Sequence, residues 1–316
     1  MRSAAALAVV SCLLLGGCGG SASTSGTAAP PAGSQTIEDL WQSAREHVGI
    51  SGGTENNEPG PVRVSFLIVD TRGRPVVRPT ARVWVSTDLD KAPFVRTTAS
   101  LQRVGVPGGG EALAGTYYVA RFRLPQAGKY WLLAEPLGGH RQVRALGNVI
   151  AGTLDANGKV ISAKDPPPDV GDPAIASDTP TIASTGGDFA ALTTRTPPDV
   201  PLLRYSVADS LAKHAPFVVE FATPKFCSSR TCGPNVDVVL AAEKRFRSSG
   251  IRFIHVEVYE DNDPAKGYNE WMKQWKLDTE PWTFLVDRKG RIVARFEGVL
   301  SVAELDRAIR DTLLSR

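Results

Sequence analysis

The first half of the chain shows the alternation of apolar and polar positions that is typical of β-strands. Turns rich in glycine or proline, such as those at residues 107–110 and 126–128, separate the alternating runs. The runs cover residues 62–70, 81–86, 94–104, 117–123, 129–134 and 143–150. Their number and spacing predict an all-β sandwich over residues 62–150.

The second half combines short, continuously apolar runs with helical patterns. Strands are predicted at 218–222, 251–259, 282–287 and 291–296, and helices at 206–213, 234–250, 264–275 and 301–313. Pro234 suits a first helical turn, and Ser301 with Glu304 forms a capping box. The order, a leading helix followed by β-α-β-α-β-β-α, predicts an α/β domain over residues 200–316.

Two segments outside these domains lack a clear period. Residues 36–61 are predicted to form a short helix, at 36–47, followed by a loop. Residues 151–199 are rich in proline and contain seven Asp but only three basic residues. This composition leaves two interpretations open: an extended irregular linker wrapped over one or both domains, or a disordered charged spacer.

Length and charge limit the classes of function. The chain has 316 residues and a formal net charge of +3. About 280 residues follow the N-terminal segment, which is more than one hydrophobic core usually serves, so two domains are expected. The small net charge gives no electrostatic footprint for nucleic acid, and we expect no such partner. The sequence indicates no cofactor and leaves the oligomeric state open.

The N-terminus carries a targeting pattern. After Arg2, residues 4–15 form an apolar run about as long as a signal-peptide core and too short for an ordinary transmembrane helix. The run ends in Leu-Gly-Gly-Cys18, which resembles the lipobox of bacterial lipoproteins. The resemblance implies a signal peptide at 1–17, diacylglycerol on Cys18, and a lipid anchor at the extracytoplasmic face of the cell membrane. An ordinary signal peptide with a chance cysteine is the alternative, and residues 18–35 are predicted to be a flexible tether.

One cysteine pair remains for chemistry. If Cys12 leaves with the signal peptide and Cys18 carries lipid, only Cys227 and Cys232 are left. They lie between a predicted strand and a predicted helix. Two thiols at such a junction, in an oxidising compartment, indicate either a cycling or a structural disulfide.

Three local features make residues 200–316 resemble the thioredoxin family. The segment from Phe221 to Cys227 is similar to the family's F-W-A-x-W-C, with one residue inserted, and residues 280–290 are similar to x-P-T-x-F-x-x-D-x-x-G. Glu220 stands where the family has a buried acid that moves protons to the thiols. The resemblance implies a thioredoxin-like fold, a cis peptide bond before Pro281, and protein thiols or disulfides as substrates. Trp282, bulkier than the family's usual threonine, is expected to shield the sulfurs or shape a substrate groove.

Residues 115–131 resemble a hairpin of bacterial extracytoplasmic immunoglobulin-like modules, in which G-x-Y is followed by L-x-x-x-G-x-W. The resemblance implies that the predicted sandwich is immunoglobulin-like. Because this hairpin occurs in many modules, it indicates a fold and not a function.

The cysteine spacing departs from the thioredoxin family, which has C-x-x-C where this chain has C-x-x-x-x-C. Counting from the strand makes Cys227 the attacking thiol and places the resolving Cys232 about one turn inside the helix. Counting from Gly233-Pro234 makes Cys232 the nucleophile at the helix N-terminus, where main-chain N–H groups stabilise a thiolate. We favour the first alignment. A helical i,i+5 pair suits a disulfide poorly, so oxidation would require a loop-like start of the helix.

Other functions share parts of this pattern. Peroxiredoxins of the bacterioferritin-comigratory type also carry C-x-x-x-x-C, but here Thr223 is one residue too far from the first cysteine and no arginine occupies their peroxide-holding position. Copper chaperones on this fold use C-x-x-x-C and a late histidine, whereas His214 and His255 lie early in the domain or within a strand. A static disulfide in a non-catalytic binding module is also compatible with the sequence.

The sequence therefore leads to a working hypothesis with enzymatic activity left open. Under this hypothesis the protein is a lipid-anchored, extracytoplasmic thiol–disulfide oxidoreductase with an N-terminal immunoglobulin-like domain and a C-terminal thioredoxin-like domain. The candidate site residues are Cys227, Cys232, Glu220 and Pro281, with Trp282 in the groove and no metal ligands.

Overall fold

The structure, a computed structural model, describes residues 35–109, 112 and 114–314. The predicted signal peptide, the lipidation site Cys18 and nearly all of the predicted tether lie outside these residues. Helix α1 (Ile37–Gln42) comes first, and the Thr36 side chain caps it by accepting a hydrogen bond from the Asp39 N–H. In the part of the chain that is described, no helix is both long and apolar enough to cross a membrane.

Among the described residues, seven strands form one closed sheet. They are β1 (Glu46–Gly52), β2 (Gly60–Val69), β3 (Thr80–Ser86), β4 (Val95–Arg103), β5 (Thr116–Leu124), β6 (Gly128–Leu137) and β7 (Val143–Ala151). The order around the barrel is β1-β2-β5-β4-β3-β6-β7. Alternate side chains of β2, including Val64, Phe66 and Ile68, are buried in the barrel core, which explains the period of two in the sequence.

The closed sheet corrects two expectations. Strand β1 occupies part of the segment predicted as a helix and loop, and α1 is shorter than the predicted helix. Because β1 pairs antiparallel with β2 and parallel with β7, the strands close into a barrel, and the two-sheet immunoglobulin-like sandwich is not confirmed. Only Val48 of β1 is buried, and its partner β7 is distant in the chain, so the local sequence carries little strand signal.

The proline- and aspartate-rich segment contains two very short strands, β8 (Thr153–Leu154) and β9 (Val160–Ile161), and is otherwise largely irregular. It lies along the C-terminal domain. The Gly171 N–H donates to the Ile292 carbonyl at 2.9 Å, and the Trp275 indole N–H donates to the Ser177 hydroxyl at 3.0 Å. These contacts hold the segment against the second domain.

The C-terminal domain has the predicted element order and a thioredoxin-like fold. Its elements are α2 (Val207–Ala212), β10 (Phe217–Phe221), α3 (Cys232–Phe246), β11 (Arg252–Val256), α4 (Glu270–Gln274), β12 (Trp282–Val286), β13 (Ile292–Glu297) and α5 (Val302–Ala308). The sheet order is β11-β10-β12-β13, with β10 and β11 parallel and the other pairs antiparallel. One apolar cluster packs α3 and α5 on one face of the sheet, and a second cluster with α4 covers the other face.

The barrel and the C-terminal domain belong to one compact unit. Arg63 of β2 forms a buried ion pair with Glu304 of α5 at 2.8 Å and donates to the Val299 carbonyl at 2.7 Å. Arg121 of β5 contacts the same carboxylate at 2.8 Å. The barrel therefore rests on the loop between β13 and α5.

Candidate active site

The two cysteines lie on either side of a turn between β10 and α3. Cys227 is in the turn, where its N–H donates to the Thr223 carbonyl at 3.1 Å, and only 8% of its surface is exposed. Cys232 is the first residue of α3 and is fully buried. The Cys232 N–H donates to the Cys227 sulfur at 3.4 Å. Cys232 therefore stands at the helix N-terminus and not one turn inside the helix, and the residues between the cysteines are not helical, as disulfide formation requires.

The surroundings of the two thiols push their pKa values apart. The Cys232 thiol, followed by the Ser229 hydroxyl and the N–H groups of Cys232 and Thr231, lowers the pKa of Cys227 to about 5, although burial opposes this. Burial, followed by the neighbouring Cys227, raises the pKa of Cys232 well above its usual range. Cys227 is therefore a thiolate at neutral pH and Cys232 a thiol. These protonation states fit Cys227 as the attacking group and Cys232 as the resolving group.

Two hydroxyl groups that the sequence analysis did not single out contact the sulfur. The Cys227 sulfur lies 3.3 Å from the Ser229 hydroxyl and 3.9 Å from the Thr231 hydroxyl. The two hydroxyl oxygens are 2.7 Å apart. Since one hydroxyl can donate to the other while that one donates to the sulfur, the pair forms a short chain that stabilises negative charge on Cys227.

Glu220 lies in β10 and is fully buried. It shares the face of the sheet on which the cysteines pack, and it accepts a hydrogen bond from the Thr283 hydroxyl through Oε2. Burial raises the pKa of Glu220 to about 8, and the Cys227 charge adds to this, while Thr283 and His255 oppose it. Its Oε1 has no hydrogen-bond partner among the described residues. Glu220 can therefore hold a proton near neutral pH and exchange it with a nearby group.

A buried ion pair that the sequence analysis missed lies beside Glu220. His255 of β11 is directly opposite Glu220 in the parallel pairing. Its Nδ1 is 2.7 Å from the Asp199 carboxylate, and its Nε2 is 3.1 Å from the Ala222 carbonyl oxygen. Because the carbonyl and the ionised carboxylate can only accept, both ring nitrogens must carry protons.

The pKa shifts of His255 and Asp199 agree with a charged imidazolium ring on His255. Burial alone would lower the pKa of His255, but the Asp199 charge and hydrogen bond raise it to about 9. Burial would likewise raise the pKa of Asp199, yet the His255 charge keeps it below its usual value. The proline-rich segment thus supplies an anion that holds a cation next to Glu220.

The expectation for Pro281 is confirmed, whereas that for Trp282 is not. The Glu280–Pro281 peptide bond is cis, as the resemblance to the thioredoxin family implies. Trp282 is 1% exposed and stacks on Phe284, and its indole N–H donates to the Thr279 hydroxyl at 3.0 Å. Both aromatic residues belong to the cluster on the face of the sheet opposite the cysteines. The structure therefore does not bring Trp282 to the sulfurs, because side chains alternate between the faces of a strand.

A groove of about 410 Å³ opens beside the turn that carries Cys227. The barrel and the C-terminal domain both contribute to its walls. Its lining includes Gly53, Glu55 and Tyr117 of the barrel, and Ser229, Thr231, Tyr259, Tyr268, Asp278, Glu280, Glu297 and Val299 of the C-terminal domain. Tyr259 and Tyr268 stack at a centroid distance of 5.5 Å, and the Tyr268 hydroxyl donates to Glu280 at 2.9 Å. Within the described residues, no group of three or more His, Cys, Asp or Glu side chains is arranged to hold a metal ion.

Comparisons with known proteins give limited similarity. No family model matches the chain, and no curated protein matches it. Among solved structures, a putative thiol:disulfide interchange protein DsbE from Chlorobium tepidum is 14% identical, with a TM-score of 0.33, over 45% of this chain and 96% of that one. A thiol:disulfide interchange protein of the thioredoxin family from Chlorobium tepidum TLS is 18% identical, with a TM-score of 0.30, over 46% of this chain and 97% of that one.

Proposed function

We propose that this protein is a thiol–disulfide oxidoreductase that acts on protein thiols or disulfides through Cys227 and Cys232. The observation that carries the proposal is the contrast between the two thiols. The pKa of Cys227 is lowered to about 5, whereas that of the adjacent, fully buried Cys232 is raised. Exchange requires one thiolate to attack and one protected thiol to resolve the intermediate.

The first step is attack of the Cys227 thiolate on a substrate disulfide. A bond forms between Cys227 and one substrate sulfur, the substrate S–S bond breaks, and the other substrate sulfur leaves as a thiolate that takes up a proton. The attack also removes the negative charge from Cys227, which is one cause of the raised pKa of Glu220. The ionised form of Glu220, which can accept a proton, therefore becomes more populated.

The second step is resolution by Cys232. Its thiol gives its proton to Glu220, and the resulting thiolate attacks the Cys227 sulfur of the mixed disulfide. The Cys227–Cys232 bond forms, the bond between Cys227 and the substrate sulfur breaks, and the substrate sulfur takes the proton from Glu220 and leaves as a thiol. In total the pair, a thiolate and a thiol, loses two electrons and one proton, solvent supplies the second proton, and the substrate disulfide gains two electrons and two protons; the reverse sequence oxidises a substrate dithiol.

We also propose that the protein acts at the extracytoplasmic face of a membrane, held by lipid on Cys18. The support is the lipobox-like Leu-Gly-Gly-Cys18 after the apolar run. Cys18→Ser should release the protein from the membrane fraction and abolish incorporation of labelled palmitate. Retention of the Cys18→Ser protein in the membrane would contradict the anchor.

The test of the redox function is the reduction potential of the Cys227–Cys232 pair. The Cys18→Ser chain is equilibrated with glutathione or dithiothreitol buffers, and free thiols are counted by mass-tagging. We expect a potential between about −120 and −270 mV, the range of catalytic thioredoxin-fold proteins. Cys232→Ser should accumulate a mixed disulfide with substrate, and Cys227→Ser should not. A pair that stays oxidised below about −300 mV would instead indicate a structural disulfide in a binding module.

A further inference from the structure

The groove beside Cys227 has a wall that the thioredoxin-like domain alone does not provide. Gly298 has a φ of 71°, and a Cβ at this position would lie only 2.3 Å from the Gly53 carbonyl oxygen of the barrel. The two backbones therefore meet closely at one edge of the groove. A Cβ at Gly53 would in turn lie 3.3 Å from the Tyr117 ring. The absence of side chains at these two positions lets the barrel approach the loop after β13 at the edge of the groove.

Tyr117 is the barrel residue whose side chain is best suited to bind a ligand in the groove. It is only 7% exposed and packs with Ala114 and Val299, yet it lines the groove. Its hydroxyl makes no hydrogen bond to any residue that the structure describes. Burial, followed by the Cys227 charge, raises the pKa of Tyr117. The side chain is thus mostly buried, its hydroxyl has no partner among the described residues, and a bound substrate can supply one.

The ionisable side chains that line the groove, apart from its tyrosines, are all carboxyl groups. Four carboxylates line it, those of Glu55, Asp278, Glu280 and Glu297, and no Lys, Arg or His does so among the described lining residues. The Cys227 thiolate adds to this negative potential. Glu297 is held by the main-chain N–H groups of Glu55 and Asn56, at 3.1 and 2.9 Å, so this acid also fixes the barrel edge of the groove. Burial raises the pKa of Glu280 and of Glu297, and an opposite charge on a ligand would favour the ionised forms of these groups.

We propose that the barrel and the thioredoxin-like domain together form a substrate-selecting groove for an extended polypeptide segment with a Lys or Arg beside its reactive cysteine. The cation lies among the groove carboxylates and against the rings of Tyr259 and Tyr268, where cation–π attraction adds to the charge interaction. The Tyr117 hydroxyl bonds to the main chain of the segment. This inference rests on the proposed redox function and adds the class of substrate to it.

The test measures exchange rates of the reduced Cys18→Ser chain with three peptides of equal length. Each peptide carries one cysteine as a mixed disulfide with 5-thio-2-nitrobenzoate, and the cysteine is flanked by lysines, by glutamates or by serines. Hydroxyethyl disulfide serves as an uncharged small substrate. We expect the lysine peptide to react at least tenfold faster than the glutamate peptide at low salt, with the ratio falling as salt rises.

The variants assign this preference to the groove. Glu280→Gln and Glu55→Gln should each lower the lysine-to-glutamate rate ratio several-fold, and Tyr117→Phe should slow all three peptides more than it slows hydroxyethyl disulfide. Glu270→Gln, which removes an exposed carboxylate outside the groove, is the matched control and should leave the ratio unchanged. Circular dichroism before the assay verifies that each variant is folded.

Two results overturn the proposal. The first is equal rates with the lysine and glutamate peptides in the parent chain, and the second is a ratio that Glu280→Gln and Glu270→Gln change equally. Either result, with normal reaction of hydroxyethyl disulfide, leaves the redox function intact. No reaction with any disulfide, including hydroxyethyl disulfide, contradicts the redox function itself.

Discussion

At the scale of single residues, the proton affinity of Cys227 depends on a few short contacts. The largest lowering of its pKa comes from the Cys232 thiol, and the Ser229 hydroxyl follows. The Ser229 oxygen is 3.3 Å from the sulfur, and the neighbouring Ser228 is exposed and makes no such contact. These two serines therefore provide a matched test of whether a hydroxyl stabilises the thiolate.

We predict that the alkylation rate of reduced Cys227 by iodoacetamide is half-maximal near pH 5 and flat above pH 7, because its pKa is lowered to about 5. Ser229→Ala should move the midpoint up by about 1–2 units, since a hydrogen bond to a charged group contributes about 1.5–3 kcal/mol. Ser228→Ala should not move it. A midpoint near pH 8.5 in the parent chain would contradict the low pKa.

Glu220 leads to a prediction about stability and pH. Its pKa rises from 4.5 to about 8 on folding, so the unfolded chain loses this proton at a lower pH than the folded chain does. Between those pH values the folded protein binds more protons, and its stability relative to the unfolded state falls as pH rises.

Glu220→Gln removes this dependence. We predict that the reduced variant is more stable than the parent by a few kcal/mol at pH 9 and differs from it by less than about 1 kcal/mol at pH 5, since each unit of pKa shift corresponds to about 1.4 kcal/mol. Urea unfolding at the two pH values measures the difference. A stability difference that does not grow with pH would show that Glu220 is not protonated in the folded state.

At the scale of elements, the end of the proline-rich segment supports β11 and the cysteine turn together. Asp199 binds His255, and the Thr194 hydroxyl donates to Glu257 at 2.6 Å. The same hydroxyl accepts from the Lys225 N–H at 3.2 Å, in the turn that leads to Cys227. A segment that the sequence left as either a wrapped linker or a spacer is therefore part of the structure around the thiols.

We predict that Asp199→Asn converts His255 from an imidazolium to a neutral ring at pH 7.5. Without the carboxylate, burial dominates and lowers the pKa of His255 from about 9. The loss of the cation opposite Glu220 should raise the pKa of Glu220 further. Side-chain ¹⁵N NMR shifts of His255 report the protonation state directly.

The effect of Asp199→Asn on stability, and a control variant at Asp209, test whether this result comes from the buried ion pair. Breaking the buried pair should cost about 3–5 kcal/mol of unfolding free energy, as is typical when one partner of such a pair is removed. Asp209→Asn, which weakens contacts to the exposed Lys213 and the partly buried Arg252, should have a smaller effect and should leave His255 charged. A His255 ring that is already neutral at pH 7.5 in the parent chain would disprove the ion pair.

At the scale of the whole molecule, local motifs allowed prediction of the C-terminal domain but not of its relation to the barrel. The order of strands and helices follows from short sequence patterns, and the cis bond before Pro281 follows from the resemblance of residues 280–290 to the thioredoxin family. Tyr117 lines the groove because the barrel docks on the loop after β13, where Arg63 contacts the Val299 carbonyl. The contact between His255 and Asp199 likewise joins distant segments, and neither residue has a local pattern that would identify its partner.

The docking of the barrel depends on Arg63. Its guanidinium donates to both carboxylate oxygens of Glu304, at 2.9 and 2.8 Å, and to the Val299 carbonyl at 2.7 Å. In the same loop, the Gly298 N–H donates to the Pro281 carbonyl at 2.9 Å, and the Leu300 N–H donates to the Asn235 side chain at 3.1 Å. One side chain of the barrel thus holds the loop that borders both the groove and the cis-proline.

We predict that Arg63→Ala lowers the free energy of unfolding by about 3 kcal/mol, the lower end for a broken buried pair, because Arg121 still contacts Glu304. The amides of Gly298 and Leu300 should exchange with deuterium faster, since the loop loses its contact with the barrel. Arg74→Ala, which removes a largely exposed arginine paired with Asp70, is the control and should leave both amides unchanged. If Arg63→Ala behaves like this control, the barrel does not hold the loop, and the shape of the groove must be set within the thioredoxin-like domain.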